Sequence, residues 1–181
     1  FKGRKVGFNP LSPSEFLLAY ALQQNGMSDK DIVPVNMTPE GIPGAMASGS
    51  LPVGVTYEPN VSQILGMGDG SKFKVVFSSK DAPGLITDVL VFDEAMIAKK
   101  PEAIKALIEG YLDGLAYMRE HPEESAQIIG QVLGVSAAEA QAQMAGAHNL
   151  SLEEMPASFA PSQATSSFHG SGAIIAKLLK A

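Results

Sequence analysis

The residues best suited to chemistry lie in one short stretch, FNPLSPSEF, at residues 8–16. Ser12 is placed to be the N-cap of a helix, and Glu15 follows at the third helical position, which forms an S-x-x-E capping box. A strand that runs directly into a helix start presents backbone N–H groups, here those of residues 13 to 15, and a partial positive charge. Ser12 and Ser14 add hydroxyl donors. The stretch therefore predicts a site for a carboxylate, sulfonate or similar oxyanion, although a box that merely caps its own helix explains every one of these residues except Ser14.

A second candidate is VTYEPNVS at residues 55–62, where a strand ends and a helix begins. Ligands of open α/β sheets bind beyond the carboxyl ends of the strands. The ring of Tyr57 would cover an apolar part of a ligand, and Glu58 would accept a hydrogen bond from an amine or a hydroxyl of the ligand. The simpler interpretation of Glu58 is a solvated carboxylate before a proline-started helix. A third stretch, SSKDAPGLITD at 78–88, suits either a hinge between lobes or an ordinary surface turn.

Most other chemistry is excluded by the residue inventory. The chain has no cysteine, which rules out disulfides, thiol catalysis and thiolate metal sites. His121, His148 and His169 have no partner three or four residues away that would make a metal-binding pair. No Walker loop, nucleophile elbow or dinucleotide fingerprint is present. We therefore predict no catalytic residue, no metal and no cofactor.

The composition is that of a folded, acidic protein. Hydrophobic residues make up 45 % of the 181 residues and charged residues 18 %, which supports a real core. The net charge of -6 without a basic stripe disfavours nucleic acid and anionic membranes as partners. No apolar run is long enough for a membrane span. The opening FKGRKVGFN, without a signal peptide, is more typical of the middle of a larger protein than of a mature N-terminus.

Alternating strands and helices must position the candidate residues. The first 92 residues read as an α/β unit with a largely parallel sheet. The predicted strands are 5–9, 31–37, 51–57, 72–79 and 86–92, and the predicted helices are 13–25, 38–50 and 58–68.

Beyond residue 92 the chain becomes helical. The stretch 100–121 carries one apolar face, formed by Ile104, Leu107, Ile108, Tyr111, Leu112, Leu115 and Met118. Further helices are predicted at 122–133, 137–147 and 172–180, with an irregular middle in 151–172.

The order of several sequence stretches resembles that in a known family. FKGRKVGFN, SPSEFLLAYALQQNGMSDKDIVPVNMTP, GVTYEPNVSQI and SSKDAPGLITDVLVF follow one another as they do in the solute-binding proteins of ABC importers. The group concerned handles nitrate, bicarbonate, taurine and alkanesulfonates, and it includes binders of pyrimidine precursors. The likeness covers nearly all of the chain and is spread over many moderately specific words.

This resemblance implies an α/β fold of the type II periplasmic-binding class, in which two lobes close on a ligand by a hinge. Residues 1–84 would be the α/β ligand-binding lobe, which is the second lobe of the family. Residues 85–181 would be a crossing strand and the helical C-terminal portion of the other lobe. Such a protein catalyses nothing, delivers a small anionic or zwitterionic solute to an ABC transporter permease, and resides in the periplasm or on the cell surface as a lipoprotein.

The resemblance also implies a set of ligand contacts, with the last the weakest of them: Asn9, Ser12, Ser14, Tyr57, Glu58 and Asp88. The chain departs from the family pattern because most of the first lobe, which precedes the KGRKV strand in the family, is absent. Half of the cleft is then missing, and a dimer or a domain swap would be one way to cover the apolar surface left open.

Two alternatives remain. One is a pyrimidine-synthesis enzyme of the same superfamily, whose cysteine-rich motif this chain lacks altogether. The other is a sensory or docking domain that has kept the fold without a role in transport.

Overall fold

The computed structural model describes residues 1–178 and divides into two compact units. The first unit comprises residues 1–86 together with the C-terminal segment from Ala160, and the second comprises Thr87–Phe159. The lobe assignment predicted above remains a prediction.

The first unit is a mixed α/β structure. Its strands are β1 (Lys5–Phe8), β2 (Val33–Asn36) and β3 (Val53–Gly54), and its helices are α1 (Pro13–Gln24), α2 (Gly41–Ala47), α3 (Asn60–Leu65) and α9 (Phe168–Leu178). The strands form a parallel sheet in the order β2–β1–β3. The α/β class with parallel strands is therefore confirmed.

The central strand β1 is covered by an apolar cluster on each face: its side chains Val6 and Phe8 belong to one cluster, and Gly7 lies against Leu51 of the other. Val6 and Phe8 pack with Leu18 and Leu22 of α1. On the other face Ile42 and Met46 of α2 pack with Leu51 and Ile64.

Gly54 allows the close approach of α2 to the sheet. A Cβ at this position would lie 2.9 Å from the Met46 sulfur. The glycine in the stretch LPVGV therefore leaves room for the side chains of α2, so that the helix packs closely on the sheet at the edge where β3 ends.

Two predicted strands are wrong. Neither 72–79 nor 86–92 forms a strand, since no described residue pairs with them. Val76 is 60 % exposed and Val91 is 80 % exposed. A strand needs a ladder partner, and apolar character alone does not supply one.

Smaller differences concern the ends of the elements. The strand predicted at 51–57 shortens to β3, and the helix predicted at 38–50 begins at Gly41, with a turn before it. The final helix begins at Phe168, earlier than predicted, and its predicted end lies outside the described residues.

The second unit is helical. Its helices are α4 (Glu94–Lys99), α5 (Pro101–Glu120), α6 (Pro122–Leu133), α7 (Ala137–Met144) and α8 (Met155–Phe159). Helices α5, α6 and α7 confirm the predictions, with the capping box between Ser136 and Glu139 formed as expected. The Glu139 carboxylate accepts hydrogen bonds from the hydroxyl and the backbone N–H of Ser136, and these bonds lower its pKa. On the predicted apolar face of α5, Leu115 is buried, whereas Leu107 and Tyr111 are exposed.

Within residues 1–178, the helices lack the combination of length and apolar character that a membrane crossing requires.

Candidate functional site

The loops that follow β1 and β3 lie side by side at the carboxyl edge of the sheet. Gly7 is in register with Gly54, and the pairing extends one step further because the Val55 N–H donates to the Gly7 carbonyl at 2.8 Å. Asn9 and Thr56 are therefore the first polar residues of two neighbouring loops. This is the edge where ligands of open α/β sheets bind.

The start of α1 is built by side chains of the first loop. The Ser12 hydroxyl donates to the Asn9 carbonyl at 2.6 Å and accepts from the Ser14 N–H at 3.2 Å. Glu15 accepts from the N–H of Leu11 at 2.6 Å. The predicted N-cap is confirmed, but the Glu15 carboxylate accepts from the N–H of Leu11 and not, as a capping box predicts, from the N–H of Ser12.

The backbone N–H groups expected to hold an oxyanion are engaged within the helix start. Pro13 carries no N–H. The Ser14 N–H is bound to the Ser12 hydroxyl, and the Glu15 N–H donates to the Ser12 carbonyl at 3.1 Å. A ligand at this position would therefore depend on the helix dipole and on a hydroxyl rather than on free N–H groups.

Ser14 supplies that hydroxyl. The residue is only 5 % exposed, and among residues 1–178 its side-chain oxygen has no hydrogen-bond partner. Among the described residues, Ser125 Oγ is the side-chain oxygen that is both fully enclosed and without a partner. Because the Ser14 oxygen also lacks a partner but is not fully enclosed, it keeps contact with solvent. It is a donor that the helix start does not use.

Leu11, in the loop before α1, adopts a conformation unusual for its residue type. Its φ is 54°, in the left-handed region, and its side chain is 87 % exposed. Because this backbone costs a non-glycine residue about 1 kcal/mol or more and the side chain buries little, we expect Leu11→Gly to raise the free energy of unfolding by about 1 kcal/mol.

The measurement is urea denaturation followed by circular dichroism. Leu11→Ala is the matched control, because alanine loses the same exposed side chain but keeps the strain. Equal stability of the glycine and alanine variants would contradict this assignment of strain.

The loop after β3 holds the second group of predicted residues. Tyr57 is 53 % exposed, so its ring is available at the edge. Glu58 accepts a hydrogen bond from the Ser62 N–H at 2.9 Å, which caps α3. The local helix-capping interpretation of Glu58 therefore has direct support, and its role as a ligand contact remains a prediction.

Two polar residues in this loop were not anticipated from the sequence. Asn60 is only 8 % exposed, and its side-chain nitrogen donates to the Thr56 hydroxyl at 3.2 Å. The Thr56 hydroxyl in turn donates to the Pro39 carbonyl at 3.4 Å. The available signal was the spacing of Thr56 and Asn60 by four residues on either side of Tyr57 and Glu58.

The remaining candidates are Asp88 and the stretch 78–88. Asp88 is exposed in the second unit, in a segment without regular secondary structure, and its role remains a prediction. The proposed hinge at 78–88 begins with a short 3-10 helix, Ser79–Asp81, capped reciprocally by Ser78 and Asp81. In the described part of the chain, acidic and histidine side chains do not gather into a group able to hold a metal ion.

Comparison with known proteins identifies the family. The NMT1/THI5-like family matches residues 1–125. A protein of Escherichia coli (strain K12), named as a binder of aliphatic sulfonates, is 30 % identical over 142 residues, which are 75 % of this chain and 41 % of that protein. A binding protein of Brucella abortus (strain 2308) is 25 % identical over 158 residues, covering 85 % of this chain and 48 % of the relative.

Solved structures show the same fold. The periplasmic aliphatic sulphonate binding protein SsuA from Escherichia coli superposes with a TM-score of 0.69 at 22 % identity, over 86 % of this chain and 51 % of that chain. The alkanesulfonate-binding protein SsuA from Xanthomonas axonopodis pv. citri, bound to MOPS, gives 0.58 at 18 % identity, over 86 % and 54 %.

The fold is therefore that of periplasmic sulfonate-binding proteins. The chain belongs to the NMT1/THI5-like family. It spans about half the length of the curated relatives that it matches.

Proposed function

We propose that this chain is the ligand-binding α/β part of an extracytoplasmic solute-binding protein, which delivers a small oxyanion such as a sulfonate or nitrate to an ABC importer. The observation that carries the proposal is the meeting of the β1 and β3 loops at one sheet edge, through the bond from Val55 to Gly7. The unused Ser14 hydroxyl lies in the first turn of the helix that starts from that edge.

The assigned roles follow from the geometry of the edge. Ser14 donates to the oxyanion, and the N-terminus of α1 stabilises its charge. Asn9 and Ser12 fix the loop, and Tyr57 covers the apolar part of the solute. In this proposal the solute is a sulfonate such as taurine, or nitrate. The protein works in the periplasm, and its partner is the permease of the importer. It assigns no catalytic residue, in keeping with the relatives, which are named as binding proteins.

The test is calorimetry with ethanesulfonate and nitrate against the chain and its Ser14→Ala variant. Loss of one hydrogen bond to a charged group is expected to weaken binding of the preferred anion about 10-fold. Ser171→Ala is the matched control, since Ser171 of α9 is equally buried but its hydroxyl donates to the carbonyl of Ser167, which precedes the helix. Unchanged affinity of the Ser14 variant would refute the assignment of the oxyanion to this hydroxyl.

A further inference from the structure

A short chain of hydrogen bonds joins two loops at the carboxyl edge of the sheet. Asn60 Nδ2 donates to Thr56 Oγ1 at 3.2 Å, and Thr56 Oγ1 donates to the Pro39 carbonyl at 3.4 Å. The loop after β3 is thereby tied to the loop after β2. Asn60 contributes from a side chain that is almost entirely buried.

These two hydrogen bonds fix the orientation of the Asn60 side-chain amide. A hydroxyl has a single hydrogen, and that of Thr56 is directed to the Pro39 carbonyl, which can only accept. The Thr56 oxygen must then accept from Asn60, so the amide turns its nitrogen toward Thr56. The amide oxygen, Oδ1, is left on the other side.

Asn60 Oδ1 is an acceptor without a donor. Among residues 1–178 it has no hydrogen-bond partner, and it is not one of the fully enclosed atoms, so it faces solvent from a buried side chain. Water can reach this acceptor in the free protein, but a solute that displaces the water leaves the acceptor unpaired, at a cost in free energy, unless the solute itself carries a donor. An oxyanion cannot supply that donor, because its own oxygens also only accept.

We propose that Asn60 Oδ1 accepts a hydrogen bond from the solute and selects oxyanions that carry an ammonium or hydroxyl group. The inference rests on the proposed function, with the oxyanion at Ser14 after β1 and the donor at Asn60 after the neighbouring strand β3. Asn60 thereby joins Glu58, the residue predicted from the sequence to recognise a donor, whose carboxylate also accepts from the Ser62 N–H at the start of α3.

The experiment compares three sulfonates that share one oxyanion and one carbon chain length. The 181-residue chain is titrated calorimetrically with 2-aminoethanesulfonate, 2-hydroxyethanesulfonate and ethanesulfonate. We expect at least one of the two donor-bearing solutes to bind about 10-fold more tightly than ethanesulfonate. The relative strength of the amine and the hydroxyl identifies which donor the site prefers.

Two variants locate the preference. Asn60→Leu keeps the approximate volume and removes the acceptor, so the three affinities are expected to become equal. Thr56→Val keeps Asn60 but frees its amide to rotate, and the preference is expected to fall without vanishing; this variant serves if Asn60→Leu does not fold. The matched control is Asn25→Leu, since the Asn25 amide nitrogen also donates to a residue four positions earlier, the Ala21 carbonyl at 2.8 Å, but at the C-terminal end of α1, away from the carboxyl edge of the sheet.

The outcomes separate this inference from the proposed function. Equal binding of the three sulfonates by the unmodified chain, or a preference that survives both variants, overturns the role of Asn60 and leaves the anion site standing. Failure of all three sulfonates and of nitrate to bind overturns the proposed function and this inference with it, whereas binding of nitrate alone overturns only this inference.

Discussion

Gly170→Ala is expected to destabilise the first unit by about 3 kcal/mol, the upper part of the range for overpacked sites. A Cβ at this position in α9 would collide with the Ala164 carbonyl oxygen and would lie 2.8 Å from the Ala164 and Gln163 carbonyl carbons. These atoms are backbone, so the clash cannot be relieved by turning a side chain. The loop at 163–164 or the helix itself must move.

The same helix offers a control of opposite sign. Gly172 has open space around its Cβ position, with nothing within 4 Å. Alanine there removes only the entropic cost of a helical glycine, so Gly172→Ala is expected to stabilise by about 1 kcal/mol. Urea denaturation of both variants, followed by circular dichroism, measures the two free energies of unfolding. Effects of the same sign would show that α9 does not pack on its neighbouring loop as described.

Ile42→Ala is expected to cost about 3 kcal/mol, in the range observed when buried aliphatic side chains are truncated to alanine. Ile42 is fully buried and packs with Met46, Leu51 and Ile64. Its loss would open a cavity between α2, α3 and the end of β3. Since Thr56 lies in the loop between β3 and α3 and Asn60 begins α3, we expect the truncation to weaken solute binding as well.

Graded variants separate packing from other effects. Ile42→Val removes one methylene and is expected to cost about 1 kcal/mol. Val76→Ala, at a position that is 60 % exposed, is expected to change stability by less than about 0.5 kcal/mol. Hydrogen exchange at the Val55 amide, which bonds to Gly7 inside the sheet, reports the free energy of opening in the first unit. Equal costs at Ile42 and Val76 would contradict the core assignment.

The first strand and helix could be predicted because their signals are local. Val6 and Phe8 alternate with Gly7, and Ser12 and Pro13 start a helix wherever the chain permits one. The failures at 72–79 and 86–92 have the opposite origin. Their valines and leucines favour a strand, but pairing depends on a neighbour far along the chain, and among the described residues none is beside them.

The residues of the candidate site show the same contrast between local signals and contacts made across the chain. Ser12 was predicted as a cap because the cap bonds lie within four residues of it. The Asn60 acceptor was missed because its orientation depends on the bond from Thr56 to the Pro39 carbonyl, 17 residues earlier in the chain. The Ser14 side chain takes no part in the capping bonds, whereas its backbone N–H does, and its contact with a ligand remains a prediction.

The most direct test of the account is an NMR titration of the isotopically labelled chain with ethanesulfonate. If the carboxyl edge of the sheet binds the oxyanion, the amide signals of Ser14, Glu15 and Tyr57 will shift together and saturate at one dissociation constant, whereas those of Asn25 and Met27, at the far end of α1, will not move. Saturable shifts confined to other residues, or no saturable shift at all, would contradict the central claim.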